Sequence, residues 1–88
     1  MKITENFIVK NIAGECVALP MTEDFVDFNK MIKLNETAEL IYNCIAKNMD
    51  IDSIVLELTK TYNVDEHIAR IDTNACIDSL VKLGIIEK

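Results

Sequence analysis

The sequence predicts an α+β domain in which a three-stranded antiparallel sheet is followed by three helices. Strand-like segments bounded by turn residues occupy the first third of the chain, whereas later apolar residues recur every three or four positions. Three residues that typically cap helices, Asn35, Asp50 and Asp65, precede the three helical stretches. With 88 residues the chain has room for one domain, which we predict to span residues 1–88.

The predicted sheet begins with a β-hairpin over residues 7–19. Ala13-Gly14-Glu15 supplies the turn, and the return strand from Cys16 to Leu19 is almost wholly apolar before Pro20 stops it. A polar loop is predicted over residues 21–27 and a third strand over residues 28–34. Within that strand one face would carry Phe28, Lys30, Ile32 and Leu34, and the other Asn29, Met31 and Lys33.

The first two helices each show one apolar stripe. Asn35 is predicted to accept a hydrogen bond from a free first-turn amide, and Glu36 suits the positive end of the helix dipole. Asp50 is predicted to cap the second helix. The predicted buried stripes are Ala38, Ile41, Tyr42 and Ile45 in the first helix, and Ile51, Ile54, Val55, Leu58 and Tyr62 in the second.

The last helix, predicted from Asp65 to Leu83 and terminated by Gly84, carries two apolar patches. A second patch is typical of small domains that expose some apolar surface, and of helices packed between two layers. It is equally typical of a groove wall that receives another chain. The core stripe is Ala69, Cys76, Ile77, Leu80 and Leu83, and the second patch is Ile68, Ile71 and Ala75.

A groove requires a second wall, and the predicted third strand is the natural candidate. Three strands followed by three helices is the element order of a winged helix-turn-helix-like domain. If the third strand lies at the sheet edge, its unpaired main-chain groups can accept an added strand. Lys30 and Lys33 would then favour an acidic peptide, although lysines on an edge strand also serve solvation and protection against aggregation.

Composition argues against nucleic acid as the partner. The net charge is −6 and the sequence pI is about 4.6, whereas affinity for a phosphate backbone comes largely from Lys and Arg. Winged-helix DNA readers share the element order, but here Arg70 and Lys82 lie among four acidic residues of the last helix. A different protein-interaction module, such as a dimerising subunit of a larger complex, stays open as an alternative.

The chemistry-bearing residues are too scattered to predict an enzyme. Cys16, Cys44 and Cys76 are odd in number and without a secretory signal, so we expect reduced thiols that act as small core residues. His67 has no partner at ligand spacing, and we expect neither a metal site, a cofactor nor catalytic residues. No apolar run is long enough to cross a bilayer, so a soluble cytoplasmic protein is expected, with no membrane partner.

Four segments together resemble the PqqD family, named after pyrroloquinoline quinone biosynthesis protein D. The resemblance covers about residues 6–86, and its most specific pieces are Leu34-Asn35-Glu36-Thr37 and the set Asp72, Ile77, Leu80 and Gly84. Departures are Tyr42 where the family often has Trp, Ala38 where Gly is common, and Lys10 where Arg is common. The four segments are FIVKNIAGECVALP, VDFNKMIKLNETAELIY, LTKTYNVD and IDTNACIDSLVKLGII.

The resemblance implies a RiPP recognition element, a non-catalytic domain used in making ribosomally synthesised, post-translationally modified peptides. Such domains bind the leader of a precursor peptide as an extra strand beside the third strand and against the third helix. They present the core peptide to a modifying enzyme, often of the radical S-adenosylmethionine (SAM) class. An exposed edge strand also suits self-pairing, which leaves a homodimer open. The implied peptide-binding residues are Phe28, Asn29, Lys30, Met31, Ile32, Lys33, Ile68, Ile71, Asp72 and Ala75.

Overall fold

A computed structural model describes residues 1–21 and 26–88. It has the predicted α+β class, because a three-stranded antiparallel sheet is followed by three helices. A short 3-10 turn, Phe28–Lys30, precedes the last strand of that sheet. Within the described residues the elements are β1 (Lys2–Ile3), β2 (Phe7–Ile12), β3 (Glu15–Pro20), β4 (Ile32–Leu34), α1 (Glu36–Ala46), α2 (Ile51–Tyr62), α3 (Glu66–Leu83) and β5 (Ile86–Glu87).

The predicted hairpin is confirmed and places β3 at the centre of the sheet, but Glu15 pairs within β3 rather than forming part of the turn, and β3 extends to Pro20. Ala13 and Gly14 both adopt left-handed φ angles, 52° and 84°, as a two-residue type I′ turn requires. Ile12 therefore pairs with Glu15, and the ladder continues to the Phe7–Pro20 pair. The four apolar residues of this central strand, Cys16, Val17, Ala18 and Leu19, are all buried, and Cys16 and Ala18 belong to the core cluster that includes the helices.

The predicted third strand over residues 28–34 is wrong in its first half. The Asp27 carboxylate accepts a hydrogen bond from the Asn29 N–H at 3.0 Å, and this local bond favours a turn over a strand ladder. The alternating faces expected for Phe28 through Met31 are therefore not formed. Residues 22–25 of the predicted polar loop lie outside the described residues.

The predicted helix boundaries are confirmed by their caps. Asn35 accepts a hydrogen bond from the Ala38 N–H at 2.8 Å, and Asp50 accepts one from Ser53 at 2.9 Å. Asp65 caps α3 through the His67 N–H at 2.6 Å. Gly84 ends α3 with a φ of 84°, the left-handed conformation that glycine adopts without strain.

The helices cover one face of the sheet and enclose the core with it. The predicted stripes of α1 and α2 are buried or half-buried, as are all three cysteines. Two expectations for α3 need correction: Leu83 is 44% exposed, and Thr73, absent from the predicted stripe, is fully buried. The buried cluster includes Leu34 from β4, Ile41 and Ile45 from α1, Ile54, Val55 and Leu58 from α2, and Ile77 and Leu80 from α3.

A small second sheet, which the sequence analysis missed, joins the two ends of the chain. Ile3 of β1 pairs with Ile86 of β5, and the Thr4 hydroxyl donates to the Gly84 carbonyl at 2.6 Å. Ile85 and Ile86 are buried and extend the core beneath α3. No helix within residues 1–21 and 26–88 combines the length and apolarity needed to cross a membrane.

Candidate functional site

An open groove of about 460 Å³ lies between β4 and α3. Its walls combine the edge of the sheet with one side of the last helix, and the first turn of α1 closes one end. The small side chains of Ala38, Ala75 and Ser79 leave the groove deep enough to hold part of another molecule. The lining comprises Ile32, Lys33, Leu34 and Asn35, then Thr37 and Ala38, and from α3 Asp72, Ala75, Cys76, Ser79, Leu80 and Leu83.

The α3 wall follows the helical repeat. Ala75 and Ser79 are four residues apart and lie on one side of the helix, and Ile68 lies on the same side two turns before Ala75. Ile71, one turn before Ala75, adjoins the groove at its rim. Ile68 and Ile71 are 51% and 53% exposed, so the apolar surface continues past the groove itself.

The edge strand β4 offers main-chain hydrogen-bonding groups to this groove. In a type I′ hairpin the residues flanking the turn form a hydrogen-bonded pair, and such pairs then alternate along an antiparallel ladder. The main-chain N–H and C=O of Val17 therefore form hydrogen bonds with Lys10 of β2. They form none with Lys33, which lies opposite Val17 on β4. The N–H and C=O of Lys33 consequently point away from β3, towards the open edge of the sheet.

The side chain of Lys33 is directed elsewhere. Ile32 and Leu34 face the helices, so Lys33 between them projects from the opposite face of the sheet. There its ammonium group bonds the Glu15 carboxylate at 2.8 Å. Lys30 lies in the 3-10 turn and is exposed. The groove is thus lined by the main chain of Lys33 rather than by its charge.

The ten predicted site residues fall into three places. Four of them, Ile32, Lys33, Asp72 and Ala75, line the groove together. Ile68 and Ile71 form the exposed apolar surface beside it, whereas Phe28, Asn29, Lys30 and Met31 form the 3-10 turn and link that lead into β4. Sequence reasoning missed Thr37, Ala38, Ser79 and Leu83. The four-residue spacing from Ala75 to Ser79 and the small size of both residues were the available signals.

The three cysteine thiols, of which Cys76 lines the groove, are poor nucleophiles. Burial raises the pKa of the Cys16, Cys44 and Cys76 thiols, and a protonated thiol is a weak nucleophile. Asp72 is exposed, and the described part of the chain has no three His, Cys, Asp or Glu side chains grouped as metal ligands. What the groove offers is main-chain hydrogen bonding beside apolar and small side chains.

Comparison with protein families gives one decisive match. A family model described as Coenzyme PQQ synthesis protein D (PqqD) matches residues 15–86. The chain belongs to the PqqD family. The match contains every residue of the groove, and it lies within the range over which the sequence resembles that family.

A solved structure shares the fold of this PqqD-family chain. The structure is described as TbiB1 in complex with the TbiA(beta) leader peptide, and the two chains superpose with a TM-score of 0.81. The alignment covers 99% of this chain and 95% of that chain at 20% sequence identity. At this identity the likeness shows the fold. Comparison with curated proteins gives no match.

Proposed function

We propose that this PqqD-family chain is a RiPP recognition element, with residues 1–88 acting as one peptide-binding domain. It binds the leader segment of a ribosomally synthesised precursor peptide as a strand added to β4, against α3. The observation that carries this proposal is the outward N–H and C=O of Lys33 beside the small and apolar wall of α3. The fold shared with a protein solved in complex with a leader peptide supports it.

An added strand would use both walls of the groove. Its main chain would bond Lys33, and its alternate side chains would point towards Ala75 and Ser79 on α3. Because β4 has only three residues, main-chain bonds are few. Apolar contacts with α3, including the exposed Ile68 and Ile71, must therefore supply much of the affinity.

The charge preference of the groove differs between its two sides. Side chains of the leader that point towards α3 would meet Asp72, not the ammonium of Lys33, which bonds Glu15 on the other face of the sheet. We therefore place the preference for acidic leader residues at the Lys30 end, where that lysine is exposed. Lys30 would attract acidic leader residues, whereas Lys33 would contribute its main-chain N–H and C=O.

The domain acts as an adaptor and carries out no reaction. The leader is bound so that the core peptide is presented to a modifying enzyme, for which we propose the radical SAM class. The raised thiol pKa values and the binding character of the groove support an adaptor role. The partners are accordingly the precursor peptide and its modifying enzyme.

Replacing Lys33 by proline tests the strand-addition geometry. The probe is a synthetic leader peptide from the precursor encoded beside this gene, for which we expect a Kd of about 1 μM, or about −8 kcal/mol. Lys33→Pro removes an N–H that points away from β3, so the β3–β4 ladder is retained while a main-chain donor to the leader is lost. We expect binding weakened by about tenfold or more, measured by calorimetry.

Two matched variants separate main-chain from side-chain effects. Lys33→Ala removes the charge but keeps the N–H, and Asn11→Pro removes an outward N–H at the opposite edge, on β2. Both should bind the leader within about twofold of the unmodified chain. If Lys33→Pro binds like Lys33→Ala while remaining folded, the leader does not add to β4. If no precursor encoded nearby binds at all, the proposed function is wrong.

A further inference from the structure

A second groove, of about 550 Å³, lies between α1 and α2. Its floor is apolar and includes the half-buried Leu40, Met49 and Tyr62. Its rim carries Glu36, Glu39 and Glu57, with Lys47 as the cation among its lining residues. An apolar floor inside an acidic rim is the complement of an apolar side chain flanked by Lys or Arg.

These three carboxylates form no ion pair with any of the described residues. Among the described residues no cation lies within salt-bridge distance of Glu36, Glu39 or Glu57, although five other ion pairs form elsewhere. Residues 22–25, which lie outside the description, contain no Lys, Arg or His. The rim therefore retains its negative charge towards solvent.

Local helix energetics explain only part of this pattern. Glu36 and Glu39 occupy the first turn of α1, where the helix dipole stabilises carboxylates. Glu57 lies in the middle of α2, where the dipole gives no such stabilisation. Its charge stands beside the buried Cys44 thiol, whose pKa it raises in addition to the larger effect of burial. The helix dipole thus gives no reason for Glu57 on this rim.

The groove between β4 and α3, which we now call the leader groove, lies on the opposite side of α1 from the second groove. At about 100° per residue, Glu36, Asn43 and Lys47 share one side of α1, whereas Thr37 and Ala38 line the leader groove from the other. A molecule in one groove does not occupy the lining of the other.

We propose that this second groove is the docking surface for the modifying enzyme, which would insert an apolar side chain flanked by Lys or Arg residues. The inference rests on the proposed function, because a leader-binding adaptor must also contact the enzyme that acts on the core peptide. It assigns leader and enzyme to opposite sides of α1. Charge complementarity would speed association and orient the enzyme.

The first test uses a synthetic helical peptide of Leu and Arg residues, with the same peptide carrying Glu for Arg as its control. We expect the basic peptide to perturb the backbone amide NMR signals of Leu40, Asn43 and Glu57, and the acidic peptide to leave them unchanged. A saturating leader peptide should not displace it. Perturbation spread over all acidic regions, or confined to the leader groove, would overturn the proposal.

The second test uses the purified modifying enzyme encoded beside the precursor gene. Glu36→Gln with Glu57→Gln should weaken its binding by about tenfold, while Glu5→Gln with Glu66→Gln should change it by less than about twofold. Each double variant removes two carboxylates, one of them in the first turn of a helix (Glu36 of α1 or Glu66 of α3), so the two double variants change the net charge equally. Equal weakening by both pairs would mean unspecific attraction and would overturn the docking surface.

Leader binding, measured on the same variants, keeps the two proposals apart. Both double variants should bind the leader as the unmodified chain does, because neither changes a residue of the leader groove lining. Enzyme binding that survives while no leader binds would contradict the proposed function alone. A second outcome is that the chain binds the leader but the variant Glu36→Gln with Glu57→Gln binds the enzyme as tightly as the unmodified chain. That result would contradict only the proposal that the enzyme docks in the second groove.

Discussion

At the scale of single residues, Thr73 is the least expected feature of the core. It is fully buried on α3, and its hydroxyl has no hydrogen-bond partner among the described residues. A buried hydroxyl without a partner costs stability because it loses its bonds to water. Hydrophobic periodicity could not identify it, since a polar residue does not contribute to an apolar stripe.

Thr73→Val should stabilise the protein. Valine has nearly the same shape as threonine and removes the unpaired hydroxyl, so we expect the free energy of unfolding to rise by about 1 kcal/mol. Urea denaturation followed by circular dichroism measures the change. Thr59→Val is the matched control, because the Thr59 hydroxyl donates to the Leu56 carbonyl at 2.7 Å and should give no such gain. A loss of stability in Thr73→Val would show that its hydroxyl is satisfied.

Other single residues were predictable because their effect is local. Asn35, Asp50 and Asp65 each bond a backbone amide two or three residues ahead, so chain position alone identifies the cap. Leu83 was assigned wrongly to the core, since the helical repeat fixes its direction but not whether another element covers it there. It lines the leader groove instead.

At the scale of elements, the sequence predicted α1, α2 and α3 well and β4 only partly. A helix of eleven or more residues shows its buried stripe several times over, whereas β4 has three residues and competes with the local bond between Asp27 and Asn29. The pairing of β1 with β5 was missed because two-residue strands at opposite ends of the chain have no local signature. The extent of β4 and the pairing of β1 with β5 both depend on contacts between residues far apart in the sequence.

The exposed face of α3 should contribute to binding rather than to folding. Ile71→Asp is expected to weaken leader affinity by about tenfold while changing stability little, because its side chain is 53% exposed. Leu56→Asp is the matched control, with the same exposure of 53% and a position on α2, which contributes no residue to the lining of the groove. It should leave leader affinity unchanged. Calorimetry with the leader and urea denaturation measure the two effects separately.

Two other outcomes for these variants would contradict a role of Ile71 in leader binding. If Ile71→Asp lowers stability and leader affinity in proportion, Ile71 serves the core rather than leader binding. If Leu56→Asp weakens the leader as much as Ile71→Asp does, added negative charge repels the peptide from the whole protein. The comparison therefore separates contact, folding and long-range repulsion.

At the scale of the whole molecule, the acidic surface and the helix pairing argue for a protein partner over nucleic acid. The net charge is −6, and Arg70 of α3 is held by Asp52 at 2.9 Å and Glu66 at 3.6 Å. That ion pair links α2 to α3 and occupies the guanidinium that a DNA-reading helix would need for phosphate or base contacts. Composition alone predicted that nucleic acid is not the partner, whereas the ion pairs of Arg70 are visible only in the structure.

The two grooves are the structural basis of the adaptor role that we propose for the molecule. The leader groove uses the sheet edge and α3, and the acidic groove uses α1 and α2 on the opposite side. The first was predictable in outline, since the second apolar patch of α3 and the third strand both appear in the sequence. The acidic groove was not, because its residues come from two helices whose relative packing no periodicity reveals.

Amide hydrogen exchange at Lys33 tests strand addition most directly. In the free protein this N–H points to the open edge of β4, as the Asn11 N–H does at the edge of β2, so both should exchange rapidly. Saturation with the leader peptide should slow exchange at Lys33 by about tenfold or more and leave Asn11 unchanged. If the leader binds while Lys33 continues to exchange as in the free protein, the leader does not pair with β4.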